Sequence, residues 1–130
     1  MRGFNKYNVS PKDSRTSDGI VFDSKFEMQS YELLKTYLGK KYFTLSPKYE
    51  LQPGFRNDAG KKIRAIHYIA DFLITYKGKE LIVDTKGMET DVFKMKEKMF
   101  TYTHKKKIHK IKSKKKMLAF ICDIKDEKEI

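Results

Sequence analysis

The spacing of apolar positions changes repeatedly along this chain, and each change predicts an element. Residues 1–18 are polar, contain Pro11 and show no period, which predicts a flexible N-terminal arm that is loose or orders on a partner. The stretch "GIVFDSKFEMQSYELLKTYLGKK" then takes a helical period. Ser24 is placed to cap its first turn, with Glu27 three positions on, and Gly39 followed by lysines closes it. Pro47 and Pro53 bracket "KYELQ", a short strand bounded by turn residues. "IRAIHYIADFLITY" and "KELIVDTK" are rich in Ile, Val, Tyr and Phe and predict two further strands. Residues 90–103 return to a helical period, with Val92, Met95, Met99 and Tyr102 as the expected core stripe. "KKMLAFICDI" reads as a buried closing strand. The predicted order is helix, three strands, helix, strand, in one domain over residues 19–124 that includes a basic segment at 104–116. A charged tail follows at 125–130.

Composition narrows the class. A chain of 130 residues with 39% hydrophobic positions has room for one compact core. No run of apolar residues reaches membrane-spanning length, and "MRGFNKYNVS" lacks the apolar stretch of a secretory signal, so a cytoplasmic protein with no membrane partner is expected. Cys122 is the single cysteine, which leaves no intramolecular disulfide and no thiolate zinc cage. Lying within "MLAFICDI", it is expected to be a buried structural thiol.

Charge changes the picture more. Lys plus Arg outnumber Asp plus Glu 29 to 17, a net charge of +12, and the excess is concentrated. "HKKKIHKIKSKKK" holds eight lysines and no acid, among them Lys105, Lys106 and Lys107, and Lys94, Lys96 and Lys98 precede it. Such a field attracts polyanions, because each phosphate neutralised releases counterions. Nucleic acid is the favoured partner, against the plainer reading of a solvated lysine face. His104 and His109 sit in this run and are expected to add to the basic surface.

Two aspartates stand inside the apolar strands. If Lys77 and Gly78 form a two-residue loop, Tyr76 faces Lys79, and counting back sets Asp71 opposite Asp84 on one face of the hairpin. Directly opposed like charges destabilise a strand pair, so a positive group must compensate. Lys86, two residues beyond Asp84, points to the same face. Two converging carboxylates also make a hard-cation site, of the kind Mg²⁺ occupies with substrate phosphates and water. His67 shares the face of Ile69 and Asp71 by strict alternation. Glu27 lies on one helical stripe with Tyr31, Leu34 and Leu38, although the capping box already accounts for it.

An acid at the end of one strand, acid-x-Lys on the next, a glutamate on a preceding helix and lysines on a following helix resemble the PD-(D/E)xK nuclease superfamily. More narrowly, "DGIVFDSKFE", "YELLK", "ELQPGF", "KKIRAIHYIADF" and "VDTKG" resemble a small phage-encoded family within it, similar to Holliday junction resolvases and other structure-selective endonucleases. The resemblance covers roughly residues 5–103. It implies an α/β fold with a restriction-endonuclease-like core of order αβββαβ, a mixed central sheet flanked by helices. It also implies a Mg-dependent endodeoxyribonuclease, a hydrolase acting in phage DNA recombination or replication within the host cytoplasm. Asp71 and Asp84 take the places of the motif's acids, Lys86 that of its lysine and Glu27 that of the first-helix glutamate. Lys94 or Lys98 matches the helix position that often carries Lys or Gln. Ala70 stands where proline is common before the first acid, and Asp84 is one methylene shorter than the more frequent Glu.

The implied mechanism is metal-assisted phosphodiester hydrolysis. Asp71, Asp84 and the carbonyl of Thr85 would hold Mg²⁺ or Mn²⁺, with Glu27 contributing directly or through water, and Lys86 would orient the attacking water or neutralise developing charge. Lys94 and Lys98 would track the DNA backbone with Lys96, Arg64 and the lysines at 105–107. Selectivity is expected for branched or otherwise structured DNA rather than for sequence, and paired cuts at a branch imply a homodimer. The rival of another class is a non-catalytic DNA-binding module of a phage DNA-processing complex. A basic RNA-binding or ribosome-associated protein ranks third.

Overall fold

The computed structural model describes residues 10–130. Its elements, in chain order, are a 3₁₀ turn (Lys12–Arg15), β1 (Thr16–Ser17), β2 (Ile20–Val21), α1 (Lys25–Tyr37), a second 3₁₀ turn (Lys40–Tyr42), β3 (Phe43–Leu45), β4 (Lys48–Gln52), β5 (Phe55–Arg56), β6 (Lys62–Ile63), β7 (Ile66–Ile69), β8 (Phe72–Tyr76), β9 (Lys79–Thr85), α2 (Asp91–His104), β10 (Ile108–Ile111) and α3 (Lys114–Lys125). The fold is mixed α/β, with three α-helices among the described residues. The chain divides into two compact units. One comprises the described residues up to Tyr42 together with Ile111–Ile130, and the other is Phe43–Lys110.

In the first unit, α1 starts where the cap residues put it. The Ser24 hydroxyl accepts from the Glu27 N–H at 3.0 Å, and a Glu27 carboxylate oxygen accepts from the Asp23 N–H at 3.3 Å. Gly39, at φ +114°, ends the helix as predicted. The expected loose arm covers residues 1–18, of which 1–9 lie outside the described residues. From Lys12 onward the chain instead forms a 3₁₀ turn and the β1–β2 hairpin. The hairpin turn, Asp18-Gly19, has both residues at positive φ. Asp18 accepts from Tyr31 at 2.6 Å and Lys35 at 2.8 Å, tying the hairpin to α1. These two bonds hold the Asp18 carboxyl below its usual range, Lys35 contributing most.

The closing strand expected at "KKMLAFICDI" is a helix, α3. Met117, Phe120, Ile121 and Ile124 are buried at helical spacing, while Leu118 and Cys122 between them are exposed. The Ser113 hydroxyl caps the helix by accepting from the Lys116 N–H at 3.2 Å. Cys122 is therefore an exposed thiol, where a buried one was expected. α3 packs against α1.

In the second unit, strands in the order β10-β9-β8-β3 form a four-stranded sheet, β4 pairs with β7, and β5 with β6. The strand following α2 is thus β10, hidden inside the lysine run: Ile108, His109 and Ile111 are buried and the lysines between and around them point outward or into ion pairs. His109, expected on the basic surface, is lowered in pKa by burial first and by Lys107 second.

The core of this unit gathers Leu51, Tyr68, Ala70, Ile82, Phe93, Phe100 and Ile108. From α2 it takes Phe93 and Phe100, seven residues and two turns apart, rather than the expected stripe. Of that stripe only Met99 packs against the core, whereas Val92 is 59% and Tyr102 77% exposed. The period is helical as predicted and its phase is set by the larger aromatic rings, which bury more surface. Phe100 meets Tyr49 and Tyr68 edge-on at 5.1 and 5.4 Å between ring centres, and lies over His104 at 5.0 Å.

Candidate metal centre on the β8–β9 hairpin

Lys77 and Gly78, at φ +49° and +82°, form the two-residue turn between β8 and β9. The register is Tyr76↔Lys79 through Phe72↔Val83, as counted from the sequence. The next position along brings Asp71 and Asp84 together. Asp71, Leu73, Ile82, Asp84 and Lys86 then share one face by alternation.

Asp71 sits where the predicted single strand over 63–76 breaks into β7 and β8, which belong to different sheets. The break is pinned from the β3–β4 corner: the Ser46 N–H donates to the Asp71 carbonyl and the Ala70 N–H to the Pro47 carbonyl, both at 3.0 Å. Alternation slips by one residue here, because Tyr68 and Ala70 join the same core cluster that Leu73 packs against. The slip leaves Ile69 exposed and His67 half-buried opposite Glu50, so neither shares the Asp71 face as strict alternation had implied.

The same slip brings in Tyr68, a residue that counting along the strand hides. Its hydroxyl donates to Asp84 Oδ2 at 2.7 Å. The Asp71 N–H donates to Asp84 Oδ1 at 3.2 Å, and Asp71 Oδ2 accepts from the Thr85 N–H at 2.8 Å and the Thr85 hydroxyl at 2.6 Å. Lys86 Nζ lies 3.6 Å from Asp84 Oδ2 and 4.4 Å above the centre of the Phe93 ring. Phe93 is fixed by the first turn of α2, where the Thr90 hydroxyl accepts from its N–H at 3.1 Å.

Asp84 is 2% exposed. Burial raises its carboxyl pKa, and the neighbouring Asp71 carboxylate raises it further, to about 7, against the opposing pull of the Tyr68 hydrogen bond and Lys86. Burial and the Asp84 charge push Tyr68 far above the usual phenol range, which keeps its hydroxyl a donor. Only with Asp84 ionised does the pair carry two negative charges against the single positive charge of Lys86.

The other predicted residues are placed as follows. Glu27 belongs to the first unit and its carboxylate caps α1. Among the described residues no group of three or more His, Cys, Asp or Glu side chains is arranged to hold a metal ion. Lys94 and Lys98 are exposed on α2, Lys96 is half-buried, and Arg64 is exposed just after β6. Lys105 takes a left-handed conformation at the end of α2 with its ammonium 4.3 Å from the Tyr102 ring centre. Lys106 pairs with Glu80 at 3.2 Å, and Lys107 is exposed. Lys110 bonds both Glu89 and Glu97, at 3.3 and 3.0 Å, which raises its pKa, Glu97 contributing most. No helix among the described residues is long and apolar enough to cross a membrane.

No curated protein and no solved structure matches this chain. Residues 5–118 match a family described as a protein of unknown function, DUF1064. That match spans most of the chain, which belongs to the DUF1064 family.

Proposed function

We propose that the protein is a metal-dependent endonuclease that hydrolyses DNA phosphodiester bonds, selective for branched or structured DNA. The observation that carries this reading is the meeting of Asp71 and Asp84 at the mouth of one hairpin, with Lys86 on the same face. A purely structural pair of opposed carboxylates, one of them buried, destabilises the strands that bear it. A divalent cation removes that repulsion, and the donors suit one: hard carboxylate oxygens, with the Thr85 carbonyl adjacent. A set of two carboxylates matches Mg²⁺ or Mn²⁺, which complete their coordination with water and substrate phosphate.

When bound, the cation supplies activation of water and neutralisation of charge at the phosphate. Asp71 and Asp84 hold it. Thr85 and Tyr68, by donating to Asp71 and Asp84 respectively, fix the direction in which the carboxylates present their oxygens. Lys86, steadied over the Phe93 ring, keeps an ammonium beside the reacting phosphate, where it orients the attacking water or meets the charge that develops. The exposed Lys94 and Lys98 supply phosphate contacts that position without reading sequence.

A second reading is a DNA-binding module without catalysis, in which the net charge of +12 and the exposed Lys94 and Lys98 make the contacts and the acid pair takes no part. Incubating the protein with a four-way junction, a flap and linear duplex, in Mg²⁺, Mn²⁺ or EDTA, separates the two. Metal-dependent nicking that vanishes in Asp84→Asn and Lys86→Gln while DNA binding survives is the expected result. Intact DNA in every lane, with tight salt-sensitive binding, would establish the module instead.

A further inference from the structure

The β5–β6 hairpin is built unlike the rest of its unit. Every residue from 53 to 62 is exposed and Ile63 is half-buried, so this ribbon has little apolar cover of its own. A bare two-stranded hairpin is marginal in water, yet this one is carefully closed. Asn57 Oδ1 accepts from the Ala59 and Lys61 N–H groups at 3.0 and 2.9 Å, and the Asn57 carbonyl accepts from the Gly60 N–H at 2.8 Å. Gly60 holds φ +79°, and Arg56 Nη1 donates to its carbonyl at 2.8 Å. At the base, a Cβ on Gly54 would come within 3.2 Å of the Ile63 carbonyl, so the strands meet there backbone to backbone.

The register sets Phe55 opposite Ile63 and Arg56 opposite Lys62. Arg64, two residues beyond Lys62, falls on the same face as that pair. Two cations directly opposed across an antiparallel ribbon repel one another. Asp58 is the only acid between residues 51 and 70, and it sits at the turn, away from Arg64. A phosphate lying across the ribbon turns the repulsion into two charge-assisted contacts, for which an arginine already bonded to a carbonyl keeps donors to spare. A two-stranded ribbon is also of a size to enter the major groove of B-form DNA, about 12 Å wide.

We infer that the β5–β6 hairpin is a DNA-contacting wing whose Arg56, Lys62 and Arg64 face takes the phosphate backbone of duplex DNA. The inference shares only the DNA partner with the proposed function and does not depend on the Asp71–Asp84 pair.

The test is fluorescence anisotropy of a short labelled duplex against salt concentration, in EDTA. The wing variant is Arg56→Gln/Lys62→Gln/Arg64→Gln. Its control, Lys25→Gln/Lys79→Gln/Lys125→Gln, removes the same charge from exposed positions elsewhere. Each lost phosphate contact lowers the slope of log affinity against log salt by about 0.9, so the wing variant should lose about 2 to 3 in slope. The control should change it far less, and both should keep the wild-type urea midpoint. Equal losses in the two variants, or none in either, would overturn the inference, as would an equal loss of binding to polyglutamate. Failure of nicking with the wing effect intact would count against the nuclease reading alone.

Discussion

Asparagine at position 84 should stabilise the metal-free protein at neutral and alkaline pH and fail to do so in acid. The native pKa of Asp84, about 7, lies above the ordinary 3.8. Between those values the native state binds more protons than the unfolded state, so stability falls as pH rises through the window. Below it both states are protonated and the group contributes nothing; above it the full penalty is present. At about 1.36 kcal/mol per unit, the span amounts to ~4 kcal/mol. Asp84→Asn removes this dependence and introduces a fixed loss. The amide offers one oxygen where the carboxylate offered two, to Tyr68 and to the Asp71 N–H, a mismatch of about 1–3 kcal/mol. The variant is then less stable than wild type near pH 4 and more stable near pH 8, the difference moving by ~4 kcal/mol between them. Urea unfolding in EDTA across that range reads it directly. A difference that stays constant with pH would refute the reasoning, since it would mean the carboxyl is neither desolvated nor coupled to Asp71.

Further predictions follow from particular contacts. Tyr68→Phe keeps the buried ring but leaves Asp84 Oδ2 without its donor, and should weaken Mn²⁺ binding roughly tenfold, measured by titration of the bound ion. Phe100→Ala opens the centre of the second unit's core and should lower stability by about 3–5 kcal/mol in urea unfolding, whereas Tyr102→Ser on the exposed side of α2 should change it by less than about 0.5 kcal/mol. Ser113→Ala should remove about 1 kcal/mol by uncapping α3. Cys122 should react with a thiol reagent in the folded protein at a rate close to that of the unfolded chain. Strong protection would contradict a helix that faces it outward.

The hairpin and its acids were legible because a two-residue turn leaves no choice of register, and Lys77-Gly78 closes with nothing to spare. α1 was legible from Ser24, Glu27 and Gly39, each of which acts at its end of the helix as its chemistry suggests. Elsewhere local pattern met competing physics. "MLAFICDI" is short enough to satisfy either period, and only packing of Met117, Phe120, Ile121 and Ile124 decides for the helix. The lysines of 104–116 masked β10, because a buried strand of four residues carries few apolar positions to notice. Within "YIADF" the run of strand formers gives no sign of the break at Asp71, which is imposed from Ser46 and Pro47, far away in sequence. Tyr68 was missed for that reason: no count along a continuous strand places it beside Asp84.

The central claim is that Asp71 and Asp84 together hold a divalent cation. Electron paramagnetic resonance of Mn²⁺ titrated into wild type, Asp71→Asn and Asp84→Asn measures this without reference to any substrate. The account predicts saturable binding by the wild type, competed by Mg²⁺ and abolished in both variants. Wild-type protein that leaves the Mn²⁺ signal unchanged, or variants that bind as the wild type does, would contradict it.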